Sequence, residues 1–203
     1  MGVSLDEIKK LKELTGVGLT DAKKALTEAE GDFDKALEAM RKKGLTKAEK
    51  RGEREAREGI IESYVHGDRI GVLVELNCET DFVARTDNFR ELAHEIALQV
   101  AAMRPKWVSE ADIPEEEKAR KREELMAAAK NDPKNANKPE EILNKIIDGQ
   151  LTKYYSELVL LDQPYWKDDS KTIGTLVKEG MAKLGENIVV RRIARFELGV
   201  TED

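Results

Sequence analysis

The chain has 203 residues and a formal net charge of −6, with 35 Lys and Arg residues against 41 Asp and Glu residues. This length allows one ordinary domain, or a small module joined to a medium one. Because the two signs of charge are interspersed, no basic field is available to hold a phosphate backbone, and we expect no nucleic-acid partner. No uncharged apolar run approaches the roughly 20 positions of a membrane-spanning helix.

The start of the chain and its single cysteine indicate the compartment. Residues 1–7 lead directly into a charged helical pattern and lack the apolar segment of a secretory signal. Cys78 has no second cysteine with which to form an internal disulfide or a thiolate metal site. We therefore expect a cytoplasmic protein without a membrane contact.

Residues 1–44 predict three short helices separated by glycine turns. Ser4 and Glu7 have the spacing of a capping box at the first helix start. The second helix is predicted to be capped near Thr20 or Asp21, and the third to run from about Asp32 to the end of this range. The apolar positions at helical intervals are Leu5, Ile8, Leu11, Leu14, Ala22, Ala25, Leu26, Phe33, Ala36, Leu37 and Met40. So thin a core is typical of a recognition module.

Residues 45–58 predict a charged linker and residues 59–203 a larger core domain. From position 47 to 58, nine of the twelve residues are charged and no apolar stripe exists, so this stretch has nothing to bury and is expected to be solvated and partly helical. Beyond it the period changes from 3.6 to 2. Residues 60–66 and 70–78 alternate on either side of a short turn, which predicts a β-hairpin.

The second strand and the elements after it predict an α+β domain. Its apolar face, available for helices to cover, consists of Val72, Val74, Leu76 and Cys78. Helices are predicted over about 87–103, 115–130, 139–148, 151–161 and 172–184, and a returning strand over 188–198 with Ile188, Val190, Ala194 and Phe196 on one side. The expected fold is a three-helix N-terminal domain plus a core with a three-stranded, mostly antiparallel sheet covered by helices.

Residues 107–165 are expected to form an exposed helical excursion from the core. We expect its helices to pack against the long helix over 87–103, whose apolar side needs a partner. The polar loop over 131–138 contains no core residue, so it should be exposed and mobile.

No pattern in the sequence predicts catalysis, a metal site or a nucleotide site. Gly16 and Gly18 form a Gly-x-Gly, but Asp21 stands where a dinucleotide motif needs its third glycine, and a helix precedes it. No phosphate-loop string of the form Gly-x-x-x-x-Gly-Lys-Ser/Thr occurs. His66 and His94, the only histidines, lack metal-ligand spacing. We expect no catalytic residue, metal, cofactor or direct nucleotide binding.

The most informative segment is 77–89, at the exit of the second strand. It places Asp81 and Phe82 at the junction between that strand and the following helix, where a carboxylate and a large ring can project together. Taken alone, Phe82 is typical of a core or staple residue and Asp81 of a helix cap. The residues by themselves leave open whether this pair is structural or binds a partner.

Three stretches of the chain resemble the elongation factor Ts family, the bacterial and organellar translation factors that exchange nucleotide on elongation factor Tu. They are residues 14–26 continued by 30–32, residues 75–84, which read Glu-Leu-Asn-Cys-Glu-Thr-Asp-Phe-Val-Ala, and residues 184–192. Their order and spacing span nearly the whole chain. Only one hairpin-and-strand set is found and the central pattern has no second copy, so the chain resembles the short form of the family.

The resemblance has implications for fold, partners and site. It implies a ubiquitin-associated-like fold for residues 1–44, and a homodimer that forms a 2:2 complex with elongation factor Tu in its GDP-bound and nucleotide-free states. The residues implied to disturb the partner's magnesium site and phosphate loop are Thr80, Asp81, Phe82 and Val83. The implied N-terminal anchor consists of Thr15, Gly16, Val17, Gly18, Leu19, Lys23 and Lys24. Val17, Leu19 and Thr20 replace the alanine and methionines common in the family, which alters contact details rather than the turn.

Other classes of function compete with this one. A non-exchanging adaptor would bind helices or ubiquitin-like folds through its first 44 residues, while the larger domain would only dimerise. An enzyme would need a pocket with converging ionisable groups, which the sequence does not supply. A ribosome-associated RNA binder is poorly supported by the acidic balance and by aromatics limited to two Trp, four Tyr and four Phe.

Overall fold

The computed structural model describes residues 3–15, 17–135 and 138–200. In chain order its elements are α1 (Leu5–Thr15), α2 (Leu19–Glu28), α3 (Phe33–Arg51), β1 (Glu58–His66), β2 (Ile70–Cys78), α4 (Asp81–Ala84), α5 (Asp87–Met103), α6 (Glu115–Asn131), α7 (Glu140–Leu158), β3 (Pro164–Tyr165), β4 (Asp168–Thr172), α8 (Ile173–Leu184) and β5 (Val189–Glu197). Strands β1, β2 and β5 form one antiparallel sheet, and β3 pairs with β4. The predicted α+β class is confirmed. No helix in the described ranges could cross a bilayer.

The three N-terminal helices enclose a small core of their own. It consists of Ile8, Leu11, Ala22, Ala25, Leu26, Ala36 and Met40. The predicted capping box is confirmed, since the amide of Ser4 donates to the Glu7 carboxylate at 3.0 Å and the amide of Glu7 donates to Ser4 Oγ at 3.2 Å. The prediction of a cap near Thr20 is wrong. Helix α2 begins earlier because Gly18 already occupies the cap position with extended backbone angles.

Helix α3 does not end at Gly44, as the sequence predicted, but continues to Arg51. It packs against α8, where a Cβ at Gly44 would lie only 3.1 Å from Cβ of Ala182. One turn later Ala48 is fully buried in the main core. The predicted linker is therefore helical over 45–51, because two small residues permit a close helix contact that needs no stripe of large apolar side chains. The division of the chain into 1–44, 45–58 and 59–203 as separate domains stays a prediction.

The main core lies between the three-stranded sheet and two helices, α5 and α8. The apolar face predicted for β2 is confirmed: Val72, Val74, Leu76 and Cys78 are all buried. Helices α5 and α8 occupy the predicted positions. The hydroxyl of Thr86 caps α5, that of Thr172 caps α8, and Gly185 ends α8 with a left-handed backbone at φ 81°. These local signals fixed the helices that cover the sheet.

A β-bulge in β5 corrects the predicted facing of its side chains. Leu76 of β2 pairs with Val190, whereas the adjacent β2 residue pairs with Arg192, two positions further along β5. The extra residue reverses the alternation of inward and outward side chains. The prediction that Ala194 and Phe196 share a side with Val190 is therefore wrong, and Phe196 is 64% exposed.

The face of the sheet turned away from α5 is rich in apolar side chains that are exposed within the part of the chain that the structure describes. We call it the outer sheet face. Its exposed large apolar residues are Ile61, Val65, Leu73 and Phe196. The Glu75 carboxylate and the Arg192 guanidinium, paired at 2.6 Å, alternate onto the same face.

The excursion over 107–165 is a helical hairpin in which α6 packs against α7. Two separate helices were predicted over 139–161, but α7 is continuous, because Gly149 lies on an open side of the helix and costs only about 1 kcal/mol there. The predicted packing of α5 on these helices is also wrong, since α5 packs on β1, β2 and α8. Of the predicted mobile loop, positions 136 and 137 lie outside the described residues.

The contact between α3 and α8 can be tested by overpacking it. Ala48→Leu should reduce the free energy of unfolding by about 1 to 3 kcal/mol, because the larger side chain would have to enter a position that is fully buried in the main core. Ala39→Leu is the matched control, since Ala39 is exposed on the same helix and such changes usually stay within about 0.5 kcal/mol. Urea unfolding followed by circular dichroism measures both, and equal values would contradict the docking of α3.

The buried thiol of Cys78 gives a second test of the core. Burial, with a smaller effect of the Glu186 carboxylate, raises its pKa from 9.0 to about 11. At pH 8 the thiolate fraction should therefore be about a hundredfold lower in the folded than in the unfolded chain. We expect iodoacetamide labelling to be slow in buffer, to accelerate as the pH rises towards 11, and to be fast in guanidinium chloride. Rapid labelling of the native protein at pH 8 would contradict this packing.

Candidate partner-binding site

The central candidate residues lie where the chain leaves β2. We call Thr80, Asp81, Phe82 and Val83 the wedge segment. Thr80 has extended backbone angles and is the cap of α4, since its hydroxyl oxygen accepts the amide of Val83 at 3.4 Å. Asp81, for which the sequence suggested a cap, instead lies in the first turn of this short helix. Its carboxylate accepts a hydrogen bond from the Arg85 guanidinium at 2.8 Å.

Phe82 is the exposed residue of the wedge segment, with 79% of its surface accessible to solvent. Val83 packs on the main core, and Ala84 is buried in it. The interpretation of Phe82 as a core or staple residue is therefore wrong. Because a four-residue helix has one inward side, burying Val83 and Ala84 directs the ring of Phe82 outward.

A single carboxylate, that of Glu186, holds the start of the wedge segment. It follows α8 in the chain and accepts hydrogen bonds from the amides of Glu79 and Thr80, each at 3.0 Å, and from the Thr80 hydroxyl at 2.6 Å. Hydrogen bonds to an ionised acceptor are stronger than those between neutral groups. The exit of β2 is thus fixed to the loop between α8 and β5.

A second carboxylate, that of Glu79 at the β2 exit, accepts a hydrogen bond from the loop after α8. Glu79 accepts the amide of Asn187 at 2.7 Å and lies 3.5 Å from the Arg54 guanidinium. The side-chain amide of Asn187 donates in turn to the carbonyl oxygens of Gly52, at 3.3 Å, and Arg54, at 2.6 Å. These bonds join the wedge segment, the loop after α8 and the segment that follows α3.

The N-terminal anchor residues lie on a different part of the molecule. Thr15 is buried and donates its hydroxyl to the carbonyl of Leu11 at 2.6 Å, while Gly16 lies outside the described residues. Val17 packs on the N-terminal core. The exposed members are Gly18, Leu19, Lys23 and Lys24. The structure therefore brings the wedge residues together and the anchor residues together, but each group belongs to a separate apolar core.

The wedge segment offers a shape more than a reactive group. In residues 3–15, 17–135 and 138–200 no three His, Cys, Asp or Glu side chains are grouped to bind a metal. What the segment presents is an aromatic ring on a backbone held by Glu186, beside the Asp81–Arg85 ion pair. Exposed aromatics on a rigid support are typical of the dominant residues of protein interfaces. The site is suited to insertion into a partner surface.

Sequence reasoning found the wedge residues but missed those that hold them. Glu79, Glu186 and Asn187 lie within the stretches that carry the family resemblance. However, the pattern contains no signal that residues more than 100 positions apart exchange hydrogen bonds. The supporting role of these three residues is visible only where the structure brings the β2 exit and the loop after α8 together.

Comparison with known proteins gives a consistent result along the chain. The family model described as "Elongation factor TS" matches residues 6–200. An elongation factor Ts from Moorella thermoacetica is 52% identical over 198 residues, which cover 97% of this chain and 96% of that protein. Elongation factor Ts from Thermodesulfovibrio yellowstonii is 47% identical over 203 residues and the full length of both chains.

A third relative agrees with these. Elongation factor Ts from Thermotoga neapolitana is 52% identical over 200 residues, which cover 98% of each chain. The wedge segment, its supports and the anchor residues all lie within these matched lengths. A match of this extent shows the family, and the chain belongs to the elongation factor Ts family of translation elongation factors.

Proposed function

We propose that this chain binds GDP-bound elongation factor Tu, promotes release of the GDP and stabilises the nucleotide-free state. The observation that supports this most is the position of Phe82, a ring 79% exposed on a short helix whose start is fixed by three hydrogen bonds. A free aromatic side chain with a fixed backbone is suited to displacing elements of a partner. The proposed place of action is the cytoplasm.

The energetics require more contacts than the wedge segment. Binding of the factor and of nucleotide are reciprocally coupled, so the factor must bind the empty partner more tightly than the GDP-bound one. A thousandfold acceleration corresponds to about 4 kcal/mol of differential binding, whereas burying one Phe contributes about 1.5 to 3 kcal/mol. We assign the remainder to the N-terminal anchor, whose exposed Leu19, Lys23 and Lys24 are free to contact the GTPase domain, and to further contacts of the core.

The proposed mechanism acts on the partner's magnesium ion. Phe82 would insert between helices of the partner and shift them, while Asp81 and Arg85 provide polar contacts beside the ring. Mg²⁺ requires near-ideal octahedral coordination, so a small displacement of its ligands and of the phosphate loop weakens GDP binding. The chain itself forms and breaks no covalent bond and binds no nucleotide in this scheme.

A homodimer in a 2:2 complex is part of the proposal. The outer sheet face exposes Ile61, Val65, Leu73 and Phe196, and apolar patches of this kind are typical of interaction surfaces. Two such sheets can pack face to face, and a two-fold axis makes one patch complementary to itself. The Glu75 and Arg192 side chains on that face supply both signs of charge to the facing copy.

The exchange function is tested by removing the ring. Phe82→Ala should slow GDP release at saturating factor by at least about tenfold, which corresponds to about 1.4 kcal/mol. Because the ring is exposed, the circular dichroism spectrum and the unfolding midpoint should stay close to those of the wild-type chain. Stopped-flow release of a fluorescent GDP analogue from elongation factor Tu measures the rate. Ile142→Ala, at an exposed position on α7, is the control. If the chain is an adaptor without exchange activity, even the wild-type chain will leave the intrinsic rate of GDP release from elongation factor Tu unchanged.

The homodimer is tested at the outer sheet face. Phe196→Lys should raise the dimer dissociation constant by about a hundredfold, because a charge would replace an aromatic ring in a desolvated contact. Leu5→Lys on α1, also at an exposed apolar position, should leave it unchanged. Sedimentation velocity over a concentration series reports both, and a Phe196→Lys dimer as stable as the wild-type dimer would exclude this face.

A further inference from the structure

We infer that Glu186 is a positioning residue for nucleotide exchange, which sets the direction of Phe82 through the hydroxyl of Thr80. The inference rests on the proposed exchange function and concerns how this chain prepares its own ring for that function. Glu186 is half-buried and its carboxylate accepts hydrogen bonds from Glu79 and Thr80, so its effect on Phe82 would pass through Thr80.

The first step is the set of bonds that Glu186 accepts. Its carboxylate receives two backbone amides and one hydroxyl from two consecutive residues, Glu79 and Thr80. Three donors converging on one ion fix both the position and the rotation of the segment they belong to. The left-handed Gly185 ends α8 immediately before this residue and so directs it towards the β2 exit.

The second step is the double use of the Thr80 hydroxyl. A hydroxyl has one hydrogen to donate and lone pairs with which to accept. Because Glu186 takes the hydrogen, at 2.6 Å, the lone pairs of Thr80 Oγ1 are left to accept the amide of Val83, at 3.4 Å. The cap of α4 is thereby oriented by Glu186, and α4 carries Phe82.

The third step is that the direction of α4 depends on the residues around it. A helix of four residues has too few internal hydrogen bonds to hold its own direction. Val83 and Ala84 pack on the core, and Thr80 caps the helix start. The Cys78 thiol donates to the Thr80 carbonyl at 3.1 Å, and the Thr86 hydroxyl donates to the Val83 carbonyl at 2.8 Å. Loss of the cap orientation would let the ring sample several directions, and interactions that need a fixed geometry are weakened by displacements of about 1 Å.

The test replaces the ion by its neutral isostere. In Glu186→Gln the side-chain nitrogen cannot accept a hydrogen bond, so one or more of the three donors loses its partner. We expect GDP release from elongation factor Tu at saturating factor to fall about tenfold, with the half-saturating concentration changed by less than about threefold. Glu62→Gln removes a carboxylate on β1 that is hydrogen-bonded to His94. This control should retain the wild-type rate.

A double-mutant cycle separates positioning from general destabilisation. If Glu186 acts by directing the ring, Glu186→Gln should slow release about tenfold in the wild-type background but less than about twofold in Phe82→Ala. Effects that multiply in the double variant would overturn the inference, as would a normal rate in Glu186→Gln. Thr80→Val, which removes the same hydroxyl bond, provides the second variant if Glu186→Gln fails to fold.

The outcomes for the inference and for the exchange function are distinct. If the wild-type chain does not accelerate GDP release, the exchange function fails and the inference fails with it. If wild type accelerates release and Phe82→Ala does not, while Glu186→Gln and Thr80→Val behave as wild type, only the positioning function of Glu186 is overturned. A reduced saturating rate with a non-additive cycle supports it.

Discussion

The way the chain leaves β2 constrains the rest of the molecule. The apolar face of β2 is covered by α5, so the chain must change from strand to helix within a few residues. That change of direction leaves the amides of Glu79 and Thr80 without strand partners, and buried or half-buried amides need acceptors. The carboxylate of Glu186 accepts both. One ion therefore joins the sheet, helix α8 and the segment that bears Phe82.

This arrangement allows an apolar ring to stay in water with a defined direction. Phe82 gains nothing from the core of its own chain, so its exposure costs stability that a partner contact would recover. Ordering the backbone before binding reduces the entropy lost on binding. Under the proposed function, the same hydrogen bonds that complete the fold would also prepare this surface for a partner.

Helix α3 connects the two regions proposed to bind the partner. Its first half closes the core of the N-terminal helices, and its second half buries Ala48 in the main core beside α8. Asn187 then ties the carbonyl oxygens of Gly52 and Arg54 to the loop that holds the wedge segment. If both proposed regions bind the same partner, binding of one would raise the effective concentration of the other.

Much of this chain could be predicted from its sequence, because local rules decide local structure. Neighbouring residues determine the caps at Thr86 and Thr172, the turn at Gly185 and the alternation in β2. Short stretches of sequence likewise carry the family resemblance. Neighbouring residues do not determine the extent of α3, the bulge in β5 or the outward direction of Phe82 beside Glu186. Small residues signal no helix contact until a second helix lies against them, and hydrogen bonds between distant residues exist only once the sheet and α8 have brought their ends together.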